Sequence, residues 1–263
     1  MPVENLFKVR SLLMENISHL IRSFNRFELK YLVSLRAAER FRDALRANLI
    51  PDDHGDERGG YELASLYYDS PDYRFYWEKM DGIRHRRKLR IRHYRRMGWT
   101  GEDTPVFVEI KQRIDRVTQK RRVLLPYREA LRLCSGRQVP NHDPQDSAVV
   151  EEAASLVWEH NLRPASLVAY RREAWIGTEF DIGLRVTFDS QLVFRTIHLC
   201  LDQDGSDIPL FPADRVIVEI KVNERVPYWL TELVASHNLH LVRVSKYCRS
   251  IELAQSFMKQ SMG

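Results

Sequence analysis

The sequence is poor in cysteine. Its 263 residues include Cys134, Cys200 and Cys248, which are far apart and form no CxxC pair. An odd number of widely spaced cysteines argues against a disulfide framework and against a zinc knuckle, and it favours a reducing compartment. We therefore expect a cytoplasmic protein, either free or at the inner face of a membrane.

Three common nucleotide-binding signatures are also missing. The chain has no GxxxxGK[ST] loop, no GxGxxG and no kinase HRD or DFG motif. If this protein binds ATP, it does not use the common phosphate cradles.

Long apolar runs are absent from the first residues. Lys8, Arg10, Glu15 and Arg22 interrupt the apolar positions there, so the segment has neither a signal-peptide core nor a span of about 20 apolar residues. The apolar spacing within residues 1–23 instead predicts an amphipathic helix. We expect the chain itself not to cross a membrane, and any coupling to transport would need a separate membrane partner.

Basic residues are abundant, but acids nearly balance them. The chain has 41 Lys and Arg against 36 Asp and Glu, and its 44% hydrophobic content suffices for a core. The stretch from Arg84 to Arg96 departs from this balance because it contains no acid. A strand here would put Arg90 and Arg92 on one face and Leu89 and Ile91 on the other. We expect this stretch to meet an anion.

Local patterns predict an α+β fold in one domain, residues 24–263. The predicted strands lie at about 24–31, 61–69, 73–79, 84–96, 106–113, 116–125, 165–175, 180–190 and 216–222, with a short strand through Val244. The predicted helices lie at about 34–49, 127–134, 147–160, 228–238 and 246–258, and Ser34 is the expected N-cap of the first. Strands joined mainly by hairpins favour an antiparallel sheet. The sequence VEIK occurs at 108–111 and again at 218–221, which suggests two related sheet halves.

The polar faces of these strands are rich in arginine and lysine. They collect Arg26, Lys30, Arg90, Arg92, Lys111, Arg113, Lys120, Arg122, Arg172, Arg185 and Lys221, with Glu28, Glu109 and Glu219 among them. If the sheet closes into a barrel, these charges line the interior, and a phosphate chain is the natural occupant. The alternative is that each strand is the solvated side of a half-buried sheet. Asp181 and Asp189 are candidates to pair with arginines, and no chemistry is assigned to them.

Nine short segments carry a resemblance to a known family. They are RFELKYLV at 26–33, SLYYD at 65–69, LRIRHY at 89–94, FVEIKQR at 107–113, QKRRV at 119–123, YRREAW at 170–175, GLRVTFD at 183–189, VEIK at 218–221 and SKYCRS at 245–250. In order and placement they resemble the VTC domain of polyphosphate polymerases, within the triphosphate tunnel metalloenzyme superfamily. The resemblance covers most of the chain, from Phe24 to Leu253.

This resemblance implies an antiparallel β-barrel, the triphosphate tunnel, with flanking helices. It implies that Arg90, Arg92 and Lys246 are catalytic. It implies further contacts to nucleotide or product phosphates from Lys30, Lys111, Lys120, Tyr170, Arg172, Arg185 and Ser245. It also implies that Glu219 holds a divalent metal, typically manganese, with magnesium as the alternative.

The activity expected from the resemblance is transfer of the γ-phosphoryl group of ATP to a growing polyphosphate chain, with release of ADP. Triphosphatases of the superfamily begin with an ExExK strand, whereas Arg26 takes the first acidic position here. Fewer carboxylates make a two-metal hydrolytic site harder to build, which favours transfer. The alternatives are a metal-dependent triphosphatase and a non-catalytic module that binds polyphosphate or nucleic acid. The interleaved glutamates argue against nucleic acid.

Overall fold

The computed structural model describes residues 26–56, 59–95, 101–115, 117–203, 205–223 and 225–261. The helix predicted within residues 1–23 lies outside these ranges. The strands described are β1 Arg26–Ser34, β2 Leu49–Pro51, β3 Gly60–Asp69, β4 His85–Arg95, β5 Pro105–Ile114, β6 Val117–Pro126, β7 Arg163–Gly177, β8 Arg185–Arg195, β9 Ile208–Pro209 and β10 Arg215–Asn223. The helices are α1 Leu35–Leu45, α2 Arg74–Met80, α3 Tyr127–Cys134, α4 Ser147–Glu159, α5 Tyr228–Ser236 and α6 Lys246–Ser261. Among these residues, no helix is long and apolar enough to cross a membrane.

The strands form one antiparallel sheet with flanking helices, which confirms the predicted α+β class. Their order is β1-β10-β8-β7-β3-β4-β5-β6, with β2 paired to β7 and β9 paired to β8. Within the described ranges this order is an open path, so the word barrel describes the sheet only loosely. The chain divides into two compact units. The first unit comprises the described parts of Met1–Asp53, Ala174–Phe188 and Val216–Val242, and the second unit comprises those of His54–Glu173, Asp189–Arg215 and Arg243–Gly263.

The core of the second unit lies under the apolar face of its sheet. Leu89 pairs with Ile110 and Ile91 with Val108 across β4 and β5, and all four side chains are fully buried. Helices α3 and α4 contribute the remaining large apolar side chains of this core, among them Leu133, Val150, Leu156 and Val157. Period-two alternation therefore places the arginines of β4 on the opposite face, as predicted.

The core of the first unit is built on α1. Ser34 caps this helix, because its hydroxyl accepts the N–H of Ala37 at 3.3 Å. The helix buries Phe41 and Leu45 in a cluster with side chains of β8, β10 and α5, which are Val186, Phe188, Val218, Ile220 and Leu230. The predicted cap is confirmed. The helix ends at Leu45, earlier than predicted, and the chain enters β2 at Leu49.

The strand predicted at 73–79 is wrong, because this segment forms helix α2, Arg74–Met80. The buried carboxylate of Asp69 explains the difference. It accepts the backbone N–H of Phe75 at 2.8 Å and that of Tyr76 at 3.0 Å. These two groups are at the start of the helix, where backbone N–H donors have no partner within the helix itself. A residue outside the segment therefore stabilises the helix.

The strand predicted at 180–190 begins later, at Arg185. The preceding residues form a turn in which the N–H of Leu184 donates to the carbonyl of Asp181 at 3.0 Å. Gly183 adopts a φ of 87° in this turn, a conformation that favours glycine. Polar and apolar residues alternate through the turn as well as the strand. A prediction from this alternation alone therefore started the strand too early.

The strand predicted through Val244 is also not present. This stretch of the described chain instead contains an isolated bridge between Tyr31 and Leu241. The N–H of Val242 donates to the carbonyl of Lys30 at 2.7 Å beside it.

Candidate functional site

The polar face of the second unit carries two rows of charged side chains across β4, β5 and β6. In one row, Arg90 pairs in register with Glu109, and Glu109 with Arg122. The other row consists of Lys88, Lys111 and Lys120. Directly opposite residues in antiparallel strands lie close together, so each row concentrates positive charge. The single carboxylate in these rows is that of Glu109.

Glu109 is 1% exposed and holds three cations. Its Oε2 accepts from Arg90 Nε at 2.8 Å and from Arg90 Nη2 at 2.5 Å, while Arg92 Nη1 lies 3.9 Å away. Lys120 Nζ lies 3.5 Å from Oε1. Burial alone would raise the pKa of the Glu109 carboxyl, but Arg90, Arg92 and Lys120 outweigh it and hold the pKa below its usual range. Glu109 is therefore ionised at neutral pH and fixes the guanidinium of Arg90.

Neutral side chains fix the same arginines from the other side. Arg92 donates from Nε to Ser65 Oγ and from Nη2 to the Tyr170 hydroxyl, each at 3.1 Å. Arg90 Nη1 donates to the Tyr67 hydroxyl at 3.0 Å. Because an arginine has five N–H donors, both guanidinium groups keep donors for a ligand.

The Tyr67 hydroxyl has an unusual acidity. Burial raises the pKa of its phenol, but the charges of Arg90, Arg92 and Lys88 outweigh burial and lower the pKa to about 8. The ring of Tyr67 also stacks on that of Tyr247, with 5.2 Å between ring centroids. Tyr67 thus links the arginines of β4 to the first turn of α6.

Asp189 is the second carboxylate centre of this unit. It is fully buried and accepts two parallel hydrogen bonds from Arg172, Nε to Oδ1 at 2.6 Å and Nη2 to Oδ2 at 2.8 Å. Lys246, at the start of α6, donates to Oδ2 at 2.5 Å, and its ammonium lies 4.5 Å from the Tyr170 ring centroid. Tyr170 accepts from Arg92, so the two carboxylate centres are joined through one tyrosine.

Ser245 lies beside Lys88, another cation of β4. Lys88 Nζ donates to Ser245 Oγ at 2.7 Å, and its ammonium lies 5.3 Å from the Tyr247 ring centroid. The same hydroxyl accepts the N–H of Cys248 at 3.3 Å in the first turn of α6. The start of α6 is therefore tied to β4.

The first unit holds its predicted site residues in two other groups. Glu219 is 4% exposed, and its carboxylate lies 3.1 Å from Lys30 Nζ and 3.5 Å from Lys221 Nζ. The second group is the ion pair of Arg185 with Asp52, in which Nη2 lies 2.6 Å from Oδ2.

Glu219 is a weak metal ligand on its own. The described residues contain no group of three or more His, Cys, Asp or Glu side chains that could hold a metal ion. Mg²⁺ and ions of similar size, however, are commonly bound by one or two carboxylates plus substrate phosphates and water. Glu219 fits a metal held in that way and does not fit a metal enclosed by protein ligands.

The structure thus brings most predicted site residues into one cluster of the second unit. That cluster contains Arg90, Arg92, Lys111, Lys120, Tyr170, Arg172, Ser245 and Lys246, whereas Lys30, Arg185 and Glu219 belong to the first unit. Sequence reasoning assigned no site role to five side chains that hold the cluster, namely Ser65, Tyr67, Lys88, Glu109 and Asp189. For Glu109 a signal existed, since it is the acid between the bases of FVEIKQR.

The antiparallel sheet, its cationic face and the flanking helices agree with the triphosphate tunnel fold that the resemblance implies. A proposed adenylate cyclase from Bacillus halodurans has the same fold, with a TM-score of 0.51 and 15% identity over 83% of this chain and 92% of that chain. The model of the VTC domain matches residues 25–255. The chain therefore belongs to the VTC domain family.

Two further solved structures match with lower TM-scores. The PH1819 protein from Pyrococcus horikoshii OT3 is 13% identical, with a TM-score of 0.44 over 87% of this chain and 99% of that chain. A proposed adenylyl cyclase from Hippeastrum, described as having a dominant triphosphatase activity, is 13% identical, with a TM-score of 0.43 over 84% of this chain and 92% of that chain. A comparison with curated protein sequences finds no significant match.

Proposed function

We propose that the chain is a polyphosphate polymerase that transfers the γ-phosphoryl group of ATP to the terminal phosphate of a polyphosphate chain. The bond from the γ-phosphorus to the β,γ-bridging oxygen breaks, ADP leaves with that oxygen, and a terminal oxygen of the acceptor forms the new bond to phosphorus. The observation that carries this proposal is the excess of cations in the second unit. Three cations share the buried Glu109, and two share the buried Asp189.

These ion pairs prepare the site before a substrate arrives. Phosphoryl transfer needs positioning and charge neutralisation more than covalent chemistry from the protein. Glu109 and Asp189 hold Arg90, Arg172 and Lys246 in place, so little reorganisation is required when charge develops on the transferred group. A terminal phosphate is already largely ionised near neutral pH, and the acceptor therefore needs no strong general base.

A divalent ion, Mn²⁺ by the family resemblance or Mg²⁺ as the alternative, would supply further neutralisation of the phosphate oxygens when bound. We assign its protein ligand to Glu219. Lys30 and Lys221, which now pair with that carboxylate, are then available to phosphate oxygens of the nucleotide.

The ligands of the proposed enzyme are ATP and polyphosphate, and no nucleic acid is expected. We propose a cytoplasmic location, at a membrane only through a separate partner. In support, Cys134, Cys200 and Cys248 are all free thiols, as a reducing compartment would leave them.

Incubation of the protein with ATP and Mn²⁺ tests the proposal directly. The expected products are ADP, measured by chromatography, and a polymer that exopolyphosphatase degrades. Release of orthophosphate without polymer would contradict the polymerase activity and support a triphosphatase activity. Salt-sensitive binding of polyphosphate or DNA without any turnover would leave only a binding module.

A further inference from the structure

One end of the cationic sheet face in the second unit is aromatic. In the register of β4, β5 and β6, Arg92 lies directly opposite Phe107, and Phe107 lies directly opposite Leu124. Tyr94 is two residues beyond Arg92 on β4 and therefore projects from the same face of the sheet. The charged rows thus give way at this end to two aromatic rings and a leucine.

These three side chains are accessible to a ligand. Tyr94 and Phe107 are half-buried, and Leu124 is 54% exposed. By contrast, Val108 and Val123, which point to the opposite face, are buried in the core. Packing in the core therefore does not explain why the polar face is apolar at this end. Exposed apolar side chains grouped beside polar residues often belong to a ligand-binding surface.

Contacts between the rings fix their orientation. Tyr94 packs edge to face on Phe107, with 5.8 Å between ring centroids, and Tyr61 packs on the other side of Tyr94 at 5.8 Å. The guanidinium of Arg122 lies over the Phe107 ring, 4.4 Å from its centroid, and the Arg122 side chain is exposed. Aromatic rings and guanidinium planes are the surfaces on which proteins stack nucleobases.

We propose that this aromatic end binds the base of the nucleotide, so that the donor is recognised as a purine nucleoside triphosphate and not as a bare triphosphate. The inference rests on the proposed function, because it places the base of the ATP whose phosphates bind Arg90 and Arg92. Tyr94 is one strand repeat, about 6.7 Å, beyond Arg92. In a nucleotide the ribose separates the base from the α-phosphate by a comparable distance. A phosphate on Arg92 would therefore bring the base to Tyr94 and Phe107.

Stacking provides affinity without reading the edges of the base. Every base has an aromatic face, so stacking on Phe107 and Arg122 tolerates different bases and favours the larger purines. We therefore expect ATP and GTP to bind with similar affinity, and CTP and UTP to bind more weakly. The polyphosphate acceptor has no base, so the aromatic end also distinguishes the donor from the acceptor on one cationic face.

Isothermal titration of the whole chain with two ligands tests the proposal. The ligands are the β,γ-imido analogue of ATP and inorganic tripolyphosphate, both at low ionic strength and without a divalent ion, so that no phosphate is transferred. Phe107→Leu keeps an apolar side chain but removes the ring. The analogue should then bind at least about fivefold more weakly, whereas tripolyphosphate should bind as it does to the wild type. Phe107→Tyr keeps a ring and should bind the analogue with wild-type affinity.

The matched control is Trp158→Leu. The ring of Trp158 also lies beneath a guanidinium, that of Arg137 at 5.5 Å, but it belongs to α4, which packs on the apolar face of the sheet. This variant should bind the analogue as the wild type does. Weaker binding of both ligands to Phe107→Leu would mean that the ring only supports the fold. That result would overturn the proposal, as would unchanged binding of the analogue.

These titrations separate the base site from the proposed polymerase. If the analogue needs the ring of Phe107 but incubation with ATP and Mn²⁺ yields no polymer, the base site stands and the polymerase fails. If polymer forms while Phe107→Leu leaves both the affinity for the analogue and the KM for ATP unchanged, only the base site fails. A wild type that binds tripolyphosphate but not the analogue would overturn both.

Discussion

Arg172 and Asp189 form a bidentate ion pair with two hydrogen bonds of 2.6 and 2.8 Å, and both residues are buried. Lys246 adds a second cation to the same carboxylate at 2.5 Å. Asp189 is therefore a buried anion that offsets two of the cations assigned to substrate. Asp189 holds the side chains of Arg172 and Lys246 in position. Its contribution to the stability of the fold can therefore be measured by unfolding, independently of turnover.

The substitution Asp189→Asn should destabilise the fold. It removes the anion and leaves Arg172 and Lys246 charged in a buried site, and breaking a buried ion pair in this way costs about 3–5 kcal/mol. Urea unfolding should show this loss as a lower midpoint with an unchanged slope. Asp214→Asn is the control, because that carboxylate is 63% exposed and pairs only with its neighbour Arg215. Equal midpoints for the two variants would mean that the Asp189 pair contributes no net stability.

Arg90 should matter to turnover through the shape of its side chain as well as its charge. Arg90→Ala removes a guanidinium that is fixed by Glu109 and Tyr67, and loss of one such prepared donor group reduces kcat by about 10²- to 10³-fold. Arg90→Lys keeps the charge but not the planar fork, so its rate should lie between those of wild type and Arg90→Ala. Initial rates of ADP formation measure both.

The control for these variants is Arg84→Ala. The Arg84 side chain is 90% exposed and lies 3.8 Å from Asp115, so its removal should leave the rate unchanged. Wild-type rates in both Arg90 variants would place the reaction site away from Glu109.

The cationic face should lose affinity for anions above pH 8. Burial, together with Arg122, Arg90 and Arg92, lowers the pKa of the Lys120 ammonium to about 8, although Glu109 opposes the shift. The pKa of the Tyr67 phenol is also about 8. As pH rises through this value, Lys120 loses a positive charge and Tyr67 gains a negative one. Both changes weaken the attraction for phosphate. The second ionisation of a phosphate is nearly complete well below pH 8, so the charge of the ligand stays almost constant in this range.

The pH dependence of kcat/KM between pH 7 and 9.5 checks this expectation, since it reports groups of the free enzyme. Lys120→Arg keeps its charge through the range, so the fall above pH 8 should be shallower. Tyr67→Phe should also make it shallower, and the double variant should show the flattest profile. A profile identical to wild type in all three variants would assign the alkaline fall to other groups.

The sequence predicts faces and caps well because these depend on local spacing. Alternation in β4 places Leu89 and Ile91 in the core and Arg90 and Arg92 on the opposite face, and the Ser34 cap follows from one side chain and the next turn. Such features involve residues within a few positions of one another, and the structure confirms them.

Features that depend on distant residues are harder to predict. Helix α2 is aromatic-rich, which favours a strand, but Asp69 bonds its first N–H groups and Tyr247 in turn donates to Asp69. Likewise, Glu109 holds Arg90 because β4 and β5 pair in one particular register, and that register is set by the whole sheet. The arginines could thus be identified from the sequence, and so could Asp189 as a candidate partner of an arginine, whereas the pairing of Glu109 with Arg90 could not.

Glu219 should control the metal requirement. If its carboxylate holds the divalent ion, Glu219→Gln should raise the Mn²⁺ concentration needed for half-maximal ADP formation by about tenfold or more, because a neutral amide binds hard cations more weakly. Calorimetric titration of Mn²⁺ into the protein with a non-hydrolysable ATP analogue should show the same loss without turnover. The ion pairs with Lys30 and Lys221 provide the competing explanation. In that case Glu219→Gln would lower the urea midpoint and leave the Mn²⁺ dependence unchanged, as would Lys30→Met.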